Sequence, residues 1–312
     1  MDLQKLLSEM TVDEKLAQMT QLVPQIITDK GEGVITGPMR NFGITKKVTS
    51  RIGSVLGISG AKKLKDLQDF HLAEDPHKIP LLFMADVIHG YRTIYPVPLG
   101  IGASFDEELA EKCSAMAAKE ASVGGIHVTF APMTDLVRDA RWGRCMETTG
   151  EDPYLNSKMA QAMVRGFQGD LGKDNIAACV KHFAAYGACD GGRDYDAVEM
   201  GDHTLREYYL PAYKAAVDAG VDYVKFQSFK ADKLVSRDAK KAVYQIKNIN
   251  DGDDSQYNML KKLELSHENH LELISYCNEK KIQFFSTAFD EEGVNYLNNL
   301  GLTFFKIPSG EI

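Results

Sequence analysis

The side chains best suited to chemistry stand where apolar runs break off: Asp86 in FMADVIHG, Arg141 in RDARWGR, and the adjacent Lys181 and His182 in CVKHF. A carboxylate, two cations and an imidazole can together hydrogen-bond neighbouring hydroxyls of a sugar ring, with Trp142 offering an apolar face. The same groups also suit a structural network in which Lys181 and Arg141 pair with Asp86, Asp139 or Glu147. Residue types alone leave both readings open.

The elements that must position these groups alternate along the chain. Apolar runs occur at GSVLG, IPLLFMADVIHG, GIHVTFAPMTDL, IAACVKHFAAYG, VDYVKFQSF, IQFFSTAF and LTFFKIPSG. Continuous apolar runs are what a parallel sheet covered on both faces demands. Helical stretches lie between them: Phe105–Ser122 with an apolar stripe through Leu109, Cys113 and Met116, then Tyr154–Phe167, then Leu205–Ala219 with Gly220 placed to end it. This βαβα order predicts an α/β fold of (β/α)8 TIM-barrel type, whose catalytic face lies at the C-terminal ends of the strands. Seven strands are recognisable and an eighth is not, so the barrel reads as incomplete. The polar stretch Ala231–Tyr257 reads as the longest irregular connection.

Composition narrows the function classes. A net charge of -8 argues against nucleic acid, which needs a concentrated positive face. There is no apolar run of the roughly 20 residues needed to cross a bilayer, and the amphipathic N-terminus, with Thr11 and Glu14 spaced as a capping box, does not read as a signal peptide. Five scattered cysteines without CxxC spacing argue against a disulfide framework or zinc knuckle, and a cytoplasmic setting is the simplest expectation. His267 and His270 in LSHENHLEL read as surface residues, so no metal site is expected there.

Residues 1 to about 220 resemble the N-terminal barrel of glycoside hydrolase family 3, the β-glucosidase family, through LLSEMTVDEKLAQMTQ, ADVIHG, PVPLGIGASFD, FAPMTDLVRDARWGRCMETTGEDP and KHFAAYG in order. The resemblance implies that Asp86, Arg141, Lys181 and His182 hold a terminal glucose, making a small-molecule sugar the expected partner. It also implies a retaining mechanism with two carboxyls about 5 Å apart. That family's nucleophile lies in a Ser-Asp-Trp motif, which is absent: the sole tryptophan, Trp142, follows Arg141. The acid/base glutamate that many members take from a following domain is likewise not found. Asp290, which ends FFSTAFD, stands on the strand corresponding to the lost nucleophile strand and is the one surrogate; its alternative task is capping the helix that follows.

Residues 221 to 312 resemble the N-acetylneuraminate (sialic acid) synthase family, through DYVKFQSFKADKLVS, SQYNMLKKLELS, FFSTAFD and FFKIPSGEI. The resemblance implies that Lys225, Thr287, Lys306 and Ser309 contact phosphoenolpyruvate and that Gln227 and Glu311 face an amino sugar. Lysines and hydroxyls do complement phosphate and carboxylate. A divalent metal is implied only on this reading, and its two histidines lie on later strands not found here; otherwise no cofactor is expected.

The chain therefore reads as a chimera of two barrel enzymes joined at Gly220, where AAVDAG continues into VDYVKFQSF without breaking the local pattern. Three functions stay in view: a β-glucosidase-like barrel that keeps a glucose cradle but is catalytically silent, a synthase-like condensing enzyme, or a non-catalytic scaffold. The open barrel edges are expected to favour self-association.

Overall fold

A computed structural model describes residues 3–24, 49–194, 196, 198–220, 223–240, 253–261, 264–279, 281–302 and 305–306. Its strands are β1 (Gln21–Leu22), β2 (Ser54–Leu56), β3 (Leu82–Ala85), β4 (Val128–Thr129), β5 (Ala177–Ala178), β6 (Tyr223–Ser228), β7 (Gln283–Ala288) and β8 (Phe305–Lys306). They form two parallel arcs, one ordered β1-β2-β3-β4-β5 and the other β6-β7-β8. Among the described residues no ladder joins β5 to β6 or β8 to β1. The expected count of seven is thus corrected to eight. The additional strand is β1, which owes its extended state to pairing of Gln21 with Ser54 and Leu22 with Val55.

The helices used below are α1 (Leu3–Glu9), α2 (Val12–Gln18), α3 (Ala61–Glu74), α4 (Glu107–Val123), α5 (Pro153–Gln168), α6 (Pro211–Asp218), α7 (His267–Glu279) and α8 (Glu291–Asn299). α2 starts at the expected capping box: Thr11 Oγ1 accepts from the Glu14 N–H, and Glu14 Oε2 accepts from the Thr11 N–H at 2.8 Å. Glu14 also meets His77 and Arg51 at 3.2 and 3.3 Å, which ties α2 to the early strands. The Thr11 backbone bond, then His77, push its carboxyl down to about 2. α5 has Pro153 in its first turn and Asp152 as cap, accepting from the Leu155 N–H at 2.6 Å.

The α4 stripe differs from expectation. Leu109 and Met116 are exposed, and the helix buries Ala110, Ser114, Ala117, Ala118 and Ala121 instead. Close approach of α5 is the cause: a Cβ added at Gly166 would lie 2.3 Å from the Glu111 carbonyl oxygen, so only small residues fit between these helices. The expected helix over Leu205–Ala219 is divided into a π-type turn at Leu205–Tyr209 and α6, the break falling at Pro211, which has no N–H to continue the ladder. Gly220 follows α6 with a φ of 109°, as its role at the helix end requires.

The N-terminal arc packs Val55, Phe83, Ile126, Met159, Phe167 and Ile176 into one apolar cluster under α3, α4 and α5. The arcs meet through a smaller cluster in which Phe183, Val217 and Phe284 pack against Cys277 and Ile282, and Gln168 Nε2 donates to the Gly220 carbonyl at 3.2 Å.

Two buried histidines make stability sensitive to acid. His71 Nε2 bonds the Ile79 carbonyl at 3.0 Å while its buried Nδ1 has no partner among the described residues. His270 bonds the Ser266 carbonyl through Nδ1 at 2.7 Å and Ser228 Oγ through Nε2 at 2.6 Å. Burial lowers the pKa of both. The unfolded chain, with histidine near 6.5, therefore takes up protons that the folded chain refuses, and stability falls as pH drops below about 6.5. Glu14 acts in the same sense only at lower pH, since its contribution is lost below the ordinary glutamate value. The expected result is a thermal midpoint level above about pH 7.5 and declining from about pH 6.5 to 5, with the decline shallower in His71→Gln; a midpoint that holds or rises over that interval would contradict it.

Candidate functional site

Asp86 directly follows β3, and Lys181 lies three residues beyond β5, so both sit at C-terminal strand ends on either side of β4. Past β4 the chain continues alongside the extension of β5: Cys179 N–H donates to Ala131 O, Lys181 N–H to Pro132 O at 3.1 Å, and Thr134 N–H to Lys181 O at 2.8 Å. This backbone pairing fixes where Lys181 and His182 emerge. Lys181 Nζ donates to Asp86 Oδ1 at 2.9 Å, with the lysine side chain 15% exposed and the aspartate 55%. The pair thus has a covered amine and an open carboxylate.

His182 is held by groups the sequence reading did not select. Asp135 Oδ2 accepts from both the His182 backbone N–H and the ring Nδ1, each at 2.9 Å. Tyr213, from α6, bonds the His182 carbonyl at 2.5 Å and Asp135 Oδ1 at 3.2 Å. Burial, then the neighbouring Asp135 charge, raise the Tyr213 pKa well above its ordinary value, keeping the phenol a donor. The ring of His182 meets Tyr186 edge-on at 4.9 Å.

The RDARWGR segment divides its cations. Arg141 is 75% exposed and folds onto Asp139, whose carboxyl it holds down to about 2. Arg144 makes a two-pronged bond to Glu147 at 2.7 and 2.8 Å and lies over Tyr186 at 5.5 Å. Arg144 first, and more weakly the charge of Lys181, lower the Glu147 pKa. Arg144 and Glu147 therefore belong to the neighbourhood of Lys181 and His182. The signal that could have found Arg144 is its spacing, three residues before a glutamate in GRCME. Trp142 does not offer a face to a ligand: it is buried with Met133, Val137 and Cys189, its Nε1 donating to Asp194 at 2.9 Å.

On the synthase-like side, register sets Gln227 opposite Thr287 and Thr287 opposite Lys306, with Lys225 two pairs earlier opposite Phe285. Thr287 is buried, and its Oγ1 lacks a partner among the described residues. Ser309 and Glu311 lie outside the described residues. Asp290 caps α8, its Oδ1 accepting from the Gly293 N–H at 2.5 Å.

His267 is exposed, as expected, and bonds Tyr296 at 3.0 Å. His270 is buried, not a surface residue: the chain Ser286–Ser228–His270 gives it polar partners inside the wall formed by β6, β7 and α7. Because both its nitrogens are engaged and no group of three candidate ligands occurs among the described residues, these residues do not fit a divalent metal. No helix among the described residues is long and apolar enough to cross a membrane.

Parallel strands wrapped by helices, with a carboxylate, amine and imidazole at the strand ends, define an α/β protein of TIM-barrel type. The chain belongs to glycosyl hydrolase family 3, whose N-terminal domain model matches residues 11–246. The NeuB family model matches residues 213–312, and the two matches overlap across Gly220. A periplasmic beta-glucosidase of Salmonella typhimurium is 38% identical over 69% of this chain and 27% of its own. An N,N'-diacetyllegionaminic acid synthase of Campylobacter jejuni is 55% identical over 31% of this chain and 29% of its own. The crystal structure of a beta-glucosidase from Listeria innocua in complex with gluconolactone covers 96% of this chain and 38% of its own at 39% identity, with a TM-score of 0.72. The same enzyme in complex with glucose covers 71% of this chain and 32% of its own at 49% identity, with a TM-score of 0.67. The chain spans less than a third of the length of the curated relatives it matches.

Proposed function

We propose that this chain is a catalytically silent, β-glucosidase-like barrel that binds a glucose-type sugar through Asp86, Lys181 and His182. The observation that carries the reading is the Lys181–Asp86 pair beside the Asp135-held His182, bridging the C-terminal ends of β3 and β5. It is supported by the family and by the relative whose structure contains glucose. Arg141 is carried as a further sugar contact that must leave Asp139 to act, and Arg144 is its rival.

Binding rests on few groups, and each unsatisfied polar partner costs about 1 to 3 kcal/mol, so affinity for glucose is expected to be no better than about millimolar. Titration calorimetry checks this. Asp86→Ala is expected to weaken binding about tenfold or more, and comparison of Arg141→Ala with Arg144→Ala assigns the cation. Micromolar binding untouched by Asp86→Ala would sink the reading.

A second reading, condensation of phosphoenolpyruvate with an N-acetylated amino sugar, draws support from the NeuB match and the Gln227–Thr287–Lys306 row. It requires phosphate release when both substrates are present; none above background refutes it.

A further inference from the structure

We propose that Asp135 and Tyr213 are positioning residues that hold His182 as its Nδ1–H tautomer, leaving Nε2 as an acceptor for a hydroxyl that donates its proton. The inference rests on the sugar-binding reading but concerns groups outside it. A carboxylate has no proton to give, so an Asp135 oxygen 2.9 Å from Nδ1 requires the hydrogen to be on Nδ1. The same oxygen takes the His182 backbone N–H at 2.9 Å, and the other oxygen faces the Tyr213 hydroxyl at 3.2 Å. Asp135 has 0% side-chain exposure, and its Oδ2 takes the two His182 donors while its Oδ1 shares the single Tyr213 proton with the His182 carbonyl.

Tyr213 adds a second constraint by bonding the His182 carbonyl at 2.5 Å, fixing the backbone from which the ring projects. The His182 side chain is 37% exposed, and no hydrogen bond to its Nε2 occurs among the described residues. With its hydrogen on Nδ1 alone, a ring held this way presents a lone pair to the site. Lys181 beside it presents hydrogens, so the two neighbours differ in sign: one reads an oxygen's lone pair and the other an oxygen's proton. A sugar hydroxyl pair, each oxygen both donor and acceptor, matches that alternation. An ether or carbonyl oxygen, having no proton, does not match the His182 half.

The test is nitrogen NMR of histidine-labelled protein at pH 8, with His182 assigned from the spectrum of His182→Gln. The expected spectrum shows a protonated Nδ1 and an unprotonated Nε2 whose resonance moves toward the hydrogen-bonded position as glucose is added. In Asp135→Ala the Nε2–H form that unrestrained imidazole favours should appear, with glucose affinity falling about tenfold. Asp135→Asn should keep both, since its oxygen can face the two His182 donors while its amide faces the Tyr213 oxygen. A wild-type His182 protonated on Nε2, or an Asp135→Ala protein with unchanged tautomer, overturns the proposal. The wild-type spectrum decides it even if Asp135→Ala fails to fold. The expected tautomer with no response to glucose overturns the sugar-binding reading instead.

Discussion

An aryl β-glucoside offered to this chain is expected to turn over no faster than about tenfold above the uncatalysed rate, against the roughly 10⁶-fold or greater accelerations of enzymes. Retaining hydrolysis needs one carboxylate free to attack and a second carboxyl free to protonate, about 5 Å apart. The carboxylates near the strand ends all have fixed partners: Asp86 takes Lys181, Glu147 takes Arg144 in two bonds, and Asp135 is enclosed by His182 and Tyr213. Asp290, two residues beyond β7 and not on the strand itself, is occupied in capping α8. Using it as a nucleophile would sacrifice a cap worth about 1 kcal/mol and require placement to within about 0.5 Å. Asp290→Asn should therefore leave the trace rate unchanged while lowering stability slightly. Robust turnover that disappears in Asp290→Asn or Glu147→Gln would show that one of these partnerships opens to release a working carboxylate.

What the sequence made legible was set by how local each determinant is. The capping box at Thr11, the Gly220 helix end and the apolar runs of the central strands are written in neighbouring residues, and the structure has them. β1 is two residues long and exists through its pairing with β2, so no run announced it. α4 buries alanines and not its larger residues because Gly166 on another helix approaches closely, a fact stored some fifty residues away. The same limit applies in the site. Position after an apolar run singled out Asp86, Lys181 and His182 as candidates. Asp135 and Tyr213 were missed because they come to His182 from 47 and 31 positions away in the chain. Trp142 was misread because a tryptophan beside an arginine suggests a ligand platform, whereas Asp194 satisfies its N–H in the interior.

The two arcs are expected to melt separately, the C-terminal one first. The N-terminal arc has a continuous apolar cluster beneath five paired strands, whereas the C-terminal arc buries mainly Cys277, Ile282, Ala288 and Leu297 among its described residues. Between them lies no ladder among the described residues; the join is the cluster around Phe183 and Val217 with the Gln168–Gly220 bond. Cooperative units break apart where the coupling between them is weaker than the stability difference they must bridge. The single tryptophan separates the signals, because Trp142 lies wholly within the N-terminal arc. Its fluorescence should show one transition, while far-UV circular dichroism should show that transition preceded by an earlier loss of helix as α7 and α8 melt. Ile282→Ala removes a buried side chain at the join, at a cost of about 2 to 5 kcal/mol, and should move the early phase down by about 10 °C or more. The fluorescence midpoint should stay where it was. Superimposable curves from both probes, shifted together by Ile282→Ala, would overturn this and show that the small seam cluster makes one cooperative body of two families' strands.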